Sequence, residues 1–297
     1  MKLSVNTLDL VHIHGDRAAL QKISELGYTA VDYTLYAYPA NCPLYTMHDT
    51  QYREYFLFLK EYGNALGISF DQTHAHIPTP FTSTAQGEKE QFQIILKDIQ
   101  ATAYLECPYI VIHPAIPRKC IRGKGAKEAQ KINAALFKQM KPVLQEYGVK
   151  LAVENMFNAD ENGVICSTVC SSAEEMLAYI NILGTNLAVA CLDIGHANLI
   201  HESENPTIDP CRMIDILGDK LKLIHMHDND GHKDFHNPPG QGNLPWHAIM
   251  TKLASSGYRG NLSFELKSTC ETALSDAHAA FVAGKTFLAQ YFHDRTP

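Results

Sequence analysis

The chain has 297 residues, of which 45% are hydrophobic and 19% charged, with a formal net charge of −7. A chain of this length and composition reads as a soluble globular enzyme that can bury a full core without disulfide staples. Its acidic balance argues against a dedicated nucleic-acid binder, and no apolar run is long enough to span a bilayer. Eight cysteines are scattered without a CxxC framework, and the Met1–Lys2–Leu3 start carries no signal peptide, so the expected location is a reducing cytoplasm.

Apolar, β-branched runs alternate with longer amphipathic stretches from end to end. Residues 2–8 read as a strand and 17–26 as a helix stopped by Gly27. Residues 30–36 form the second strand, followed by a Tyr- and Pro-containing excursion over 37–49 that is too polar for a core element. A helix over 50–66 ends at Gly67, and 68–75 make the third strand. Residues 87–106 are helical, 109–113 give a short apolar fourth strand, and 127–147 form a helix that Pro142 should kink or split. The fifth strand, 150–154, precedes a helix over 172–183, and the sixth, 187–193, precedes a helix over 208–217. Residues 221–227 are the seventh strand, 245–255 a helix with proline in its first turn, 261–265 the eighth strand and 275–291 the closing helix.

Eight successive βα units with apolar strands imply a parallel sheet covered by helices. The expected class is therefore α/β, a (β/α)8 TIM barrel, with residues 1–297 as a single domain; a doubly wound open sheet is the alternative. In such a barrel the active site lies at the C-terminal ends of the strands. Those ends, in order from the third, are His74, His113, Glu154, Asp193, His225 and Glu265. Nitrogen and carboxylate-oxygen donors without thiolate suit Zn²⁺, Mn²⁺ or Co²⁺.

The densest concentration of such donors is LKLIHMHDNDGHKDFHNPPGQG, residues 221–242. Strand alternation turns His225 and His227 to one side. The following loop adds Asp228, Asp230, His232, Asp234 and His236 before a Pro- and Gly-rich turn.

The segments QTHAHIPTPF, VIHPA, LAVENMF, CLDIGHANL, IHMHDND, KDFHNPPGQG and LSFEL, in this order, resemble the xylose-isomerase-like TIM barrels. That family includes sugar and sugar-phosphate epimerases, inosose-processing enzymes and endonuclease IV. For the epimerases the resemblance implies one divalent metal held by Glu154, Asp193, His225 and Glu265. For endonuclease IV it implies a second or third metal held with His74, His113, His196, Asp234 and His236. Both patterns are satisfied, so the resemblance leaves one to three ions per chain. The sequence departs from endonuclease IV at His227, where Asn is usual, and lacks a counterpart of its DNA-inserting loops.

Other candidates carry two readings each. His196 is either a helix-cap or packing histidine or a contact to metal or substrate. Asp234 and His236 either ligate or order their loop. His76 shares a strand face with His74 and is a candidate substrate contact. The loop PRKCIRGKG sets Arg118, Lys119 and Arg122 just past the fourth strand, as a phosphate site or a solvated basic loop. Phe157, with Tyr36 and Tyr38, can wall a sugar pocket, and Trp246 should pack beneath the 221–242 loop.

Together these imply a divalent-metal-dependent isomerase or epimerase of a ketose, polyol or sugar phosphate. Glu154 and Glu265, expected on opposite sides of the barrel mouth, would exchange a proton with carbon through an enediolate, and His196 would hydrogen-bond the developing oxyanion. The alternatives are an endonuclease IV-like multi-metal phosphodiesterase and a metal- or sugar-binding barrel without catalysis. The expected partner is a small sugar, with no membrane and no nucleic acid; a homo-oligomer is left open.

Overall fold

Alternation of short apolar strands with long amphipathic helices resolves, in a computed structural model describing residues 1–77, 85–117, 120–199 and 208–292, into a closed parallel barrel. Its strands are β1 (Leu3–Asn6), β2 (Ala30–Thr34), β3 (Ser69–His74), β4 (Tyr109–Ile112) and β5 (Lys150–Glu154). A small antiparallel hairpin, β6 (Phe157–Ala159) and β7 (Ile165–Ser167), interrupts the series before β8 (Ala188–Asp193), β9 (Leu221–Met226) and β10 (Leu262–Phe264). The order around the barrel is β1-β10-β9-β8-β5-β4-β3-β2, so each barrel strand neighbours its predecessor in the chain and β10 closes onto β1.

Helices cover the outside. In chain order they are α1 (Leu8–His14), α2 (Asp16–Glu25), α3 (Pro43–Thr46), α4 (Asp49–Ala65), α5 (Ala85–Tyr104) and α6 (Ala126–Tyr147). They continue with α7 (Ala173–Leu183), α8 (Ile194–Asn198), α9 (Pro210–Leu217), α10 (Trp246–Ser255) and α11 (Ala273–Tyr291). Their apolar faces meet the outward side chains of the strands in one large core that includes Phe56, Phe137, Met140, Tyr179, Ile214 and Ile249. No helix among the described residues is long and apolar enough to cross a membrane.

A second, smaller core fills the barrel itself: Val111, Ala152, Val189, Cys191 and Leu223, with Tyr109 packed against it. These residues set the position of the site. Inward side chains recur every second residue. The stripe Tyr109–Val111 on β4 therefore ends at His113, Ala152 on β5 at Glu154, Val189–Cys191 on β8 at Asp193, and Leu223 on β9 at His225. An apolar plug lies below, and a polar donor stands above it on each stripe.

Several expectations change. The first strand stops at Asn6, and residues 8–14 form α1, which buries Leu10 and Val11. Helix α6 runs unbroken through Pro142. Pro142 and Lys138, whose carbonyl loses its helical donor, are both exposed, so water replaces the missing bond. The polar excursion after β2 contains the short helix α3, and the β6–β7 hairpin occupies a stretch in which no element was expected.

Where strand pairing ends, three buried asparagines take over. Each spans a backbone N–H and a backbone C=O with its amide. Asn6 donates to Leu266 O (2.9 Å) and accepts from Leu266 N (3.0 Å), tying β1 to the segment after β10. Asn155 does the same to Asp193 (2.8 and 2.7 Å), and Asn133 of α6 to Ala115 (2.8 and 2.7 Å). Replacing Asn155 with Leu would leave both backbone groups of Asp193 without their partner. We expect a loss of about 2–4 kcal/mol, read as a lower denaturant midpoint with unchanged m-value.

Candidate metal centre

Glu154, Asp193, His225 and Glu265 converge above the apolar plug, each offering a ligand atom within 4.8 Å of the others, and all are buried. Only β8 and β9 separate β5 from β10. The two glutamates are therefore three steps apart on a ring of eight, one short of diametrically opposite, and face each other across much of the mouth.

The Glu154 carboxylate is the hub. Its Oε1 lies 2.9 Å from His225 Nδ1, and its Oε2 lies 2.9 Å from His113 Nε2 and 3.5 Å from His74 Nε2. Burial opposes its charge, but His225 and His113 outweigh burial and hold the carboxyl well below its ordinary range. Glu265 shows the same balance, with His225 and His236 prevailing over burial. His225 is lifted well above its ordinary range: burial works against protonation, and Cys191, Glu265 and Glu154 overcome it.

Three buried carboxylates against one imidazole leave an excess of negative charge, and Glu265 Oε2 is buried without a hydrogen bond. A divalent cation fits both facts, and the oxygen and imidazole donors match Zn²⁺ or Mn²⁺.

Two further donor groups flank this one. His74, His113 and Glu154 form the first, sharing the hub carboxylate, with the two imidazoles edge to face at 4.7 Å between centroids. His196, His227, Asp234 and His236 form the second. There Asp193 caps α8 by accepting from His196 N (2.6 Å), and its Oδ1 also lies 3.0 Å from His227 Nε2. His196 Nδ1 lies 2.9 Å from Asn155 O. His236 is fixed between Glu265 O (2.9 Å from Nδ1) and Asp234 Oδ2 (3.0 Å from Nε2). Its backbone is left-handed, φ 52°, a conformation uncommon outside glycine and often stored at functional sites. His227 Nδ1 and Asp234 Oδ1 are buried and without a hydrogen bond.

His227 is the donor that sequence reasoning did not place among the ligands. Its fit has a visible signature in the motif DIGH: a Cβ on Gly195 would run into the His227 imidazole. The same imidazole stacks on His236, centroids 3.8 Å apart. The loop carrying Asp234 and His236 is folded around Asp228. Its carboxylate accepts from Asn229 N (3.0 Å), Gly240 N (2.8 Å), Leu244 N (3.2 Å) and Trp246 Nε1 (2.8 Å).

Other candidates lie elsewhere or are already engaged. His76 has Asp98 Oδ2 at 2.9 Å on Nδ1 and Tyr38 O at 2.7 Å on Nε2, so neither ring nitrogen is offered to a ligand. Arg122 pairs with Asp160 in the β6–β7 turn (3.1 Å), which draws it away from the role of phosphate ligand. Arg118 and Lys119 lie outside the described residues. Phe157 meets His196 edge-on at 5.0 Å. Tyr36 meets His74 at 5.0 Å; burial, then Glu265, Asp32 and Glu154, keep its phenol protonated.

The proton on His236 gives the second group a pH signature. Burial opposes it, but Asp234 and Glu265 push the imidazole up from 6.5 to about 10. An ion entering this group must displace that proton. Affinity there should rise as pH climbs from 6.5 towards about 10, with proton release measurable by calorimetry in buffers of different ionisation enthalpy. Equal heats in all buffers at pH 8 would contradict the assignment.

A family model described as the xylose isomerase-like TIM barrel matches residues 20–291. An uncharacterized protein of Methanocaldococcus jannaschii is 27% identical over 190 residues, 64% of this chain and 61% of that protein, so the match spans less than two thirds of that relative. The fructoselysine 3-epimerase of Escherichia coli O157:H7 is 42% identical over 52 residues, 18% of this chain and 19% of the enzyme. Among solved structures, a D-tagatose 3-epimerase-like protein superposes with a TM-score of 0.75 at 22% identity, covering 100% of both chains. The IolI protein with a bound zinc atom gives 0.74 at 18% identity, covering 98% of this chain and 99% of that one. The closed eight-stranded barrel and a family match running through nearly its whole length lead to one statement: the chain belongs to the xylose isomerase-like TIM barrel family.

Proposed function

We propose that the protein is a divalent-metal-dependent epimerase or isomerase of a ketose, polyol or sugar phosphate. The observation that carries this reading is the convergence of Glu154, Asp193, His225 and Glu265 at the C-terminal mouth of the barrel. Similarity to a fructoselysine 3-epimerase and to a D-tagatose 3-epimerase-like fold supports it, as does the zinc in the IolI protein.

A bound divalent cation supplies Lewis acidity that polarises the carbonyl of the sugar and acidifies the neighbouring C–H. The chain's own groups then move the proton. One of Glu154 and Glu265, both held as carboxylates at rest, removes the proton from carbon; the other, after taking a proton from solvent, delivers that proton to the opposite face, and the first then releases its own to solvent. His196 donates Nδ1–H to Asn155 O, and because burial is outweighed by Asp193 and Glu154, which raise it above its ordinary range, the ring can also carry the Nε2–H offered to the oxygen on which charge develops. Phe157 and Tyr36, edge-on to His196 and His74, wall the sugar.

A second reading rests on the two flanking donor groups, which are more than one cation needs. Several ions around Glu154 would suit phosphodiester hydrolysis, in which metals activate water and stabilise the leaving oxygen. Elemental analysis of protein purified without chelator counts the ions. His236→Ala should lower the metal-to-protein ratio without emptying the Glu154 group, whereas a role confined to ordering the loop would leave the ratio unchanged.

Proton transfer at carbon separates the two reactions. In D₂O with a matching ketose or ketose phosphate, the enzyme should wash deuterium into the position beside the carbonyl. Glu265→Gln, at equal metal content, should slow that exchange by roughly 10²-fold or more. Cleavage of a phosphodiester without exchange across a broad sugar panel would overturn the epimerase reading.

A further inference from the structure

Below the metal donors, the barrel interior holds carboxylates that the proposed chemistry does not use: Asp71, whose oxygens accept from Ser4 Oγ at 2.9 Å and Asn261 Nδ2 at 2.7 Å, and Asp32, which is less well satisfied. Asp32, in β2, is 1% exposed, and its register partner in β3 is Gln72, equally buried. Other inward residues of the barrel include Val111, Ala152, Val189, Cys191 and Leu223, so apolar packing does not call for a charge there. The Gln72 amide N–H donates to Asp32 Oδ2 at 2.8 Å, while Asp32 Oδ1 is buried without any hydrogen bond. A buried carboxylate left half satisfied is costly, and its retention asks for a function.

The group that Asp32 faces is the imidazole of His225. That ring turns Nδ1 towards the donors, 2.9 Å from Glu154 Oε1 and 3.3 Å from Glu265 Oε2. Its other nitrogen, Nε2, lies 3.4 Å from Asp32 Oδ2 and 2.7 Å from the Gln72 amide nitrogen. A neutral imidazole that gives the Nδ1 lone pair to a cation carries its proton on Nε2 and needs an acceptor there. The amide nitrogen of Gln72 can only donate, so in the metal-free ring its N–H meets the Nε2 lone pair and the imidazole proton stands on Nδ1, beside Glu154. Once Nδ1 is given to a cation the proton passes to Nε2, the Gln72 N–H keeps Asp32 Oδ2 alone, and that carboxylate oxygen, 3.4 Å from Nε2, is the acceptor at hand.

We propose that Asp32 is the positioning residue of the centre, accepting the Nε2–H of His225 and so directing Nδ1 at the cation, with Gln72 holding the carboxylate. This rests on the metal reading of the Glu154 group and adds a residue to it. Asp32 touches neither substrate nor ion; it acts through His225.

The test uses the full chain with Zn²⁺ as probe. Asp32→Asn should weaken zinc binding by at least about tenfold while the circular dichroism spectrum is kept, the scale expected when the partner of a metal-bound histidine is lost. A merely structural role would not move a second readout: in the zinc-loaded protein the His225 Nε2–H proton should resonate far downfield, as a donor to a carboxylate does, and move upfield in the variant. Equal affinity with an unmoved resonance would overturn the proposal alone. A wild-type chain that binds no zinc would overturn the metal reading and this inference with it. If Asp32→Asn does not fold, the wild-type resonance decides, since an Nε2–H without the downfield shift would be incompatible with a carboxylate acceptor.

Discussion

Removing the Glu154 carboxylate from water is costly unless its oxygens are hydrogen-bonded or paired, and its neighbours at the barrel mouth are placed to do that. His225 and His113 lie at hydrogen-bond distance from its two oxygens, and His74 stands behind. Because β5 ends on this residue and the inward stripe below it is apolar, the carboxylate cannot retreat into solvent or sink into the core. The neighbouring donors are then ordered with respect to it. Asn155, next in the chain, clamps Asp193 with its side chain and accepts from His196 Nδ1–H with its backbone carbonyl, so one dipeptide holds elements of all three donor groups.

The division of the barrel into plug and mouth was readable from the chain because period-two strands end abruptly on His, Glu or Asp after apolar residues. What was not readable depends on the third dimension. Asp32 and Gln72 sit within strands whose sequence gives no hint that both face inward, since the register shifts between Val31 and Asp32. His76 shares the strand alternation of His74, yet Asp98 and the Tyr38 carbonyl take both of its nitrogens. The helix over residues 8–14 lies where the sequence reads as the loop between the first strand and the helix over 17–26, since seven residues are too few to show a helical period.

Asparagine has a distinct part in this architecture. Parallel strands stop exchanging backbone hydrogen bonds where they splay, and the splayed rim is where the functional side chains must stand. A side-chain amide offers one donor and one acceptor at fixed separation, so it can substitute for a neighbouring strand at a single residue. Asn6, Asn155 and Asn133 do so beside Glu265, at Asp193 and beyond His113. The rim is thereby rigid without further strand, leaving the loops above free to differ in sequence.

The close approach of Gly195 to His227 makes one position depend on another distant in the chain. An imidazole at 227 leaves no room for a methyl group at 195, so the histidine requires the glycine, while the glycine does not require the histidine. In descendants or relatives that replace His227 with a smaller side chain, position 195 is released from glycine, and alanine there would favour the α8 turn. Among related chains, a side chain at 195 should therefore appear only where residue 227 is smaller than histidine.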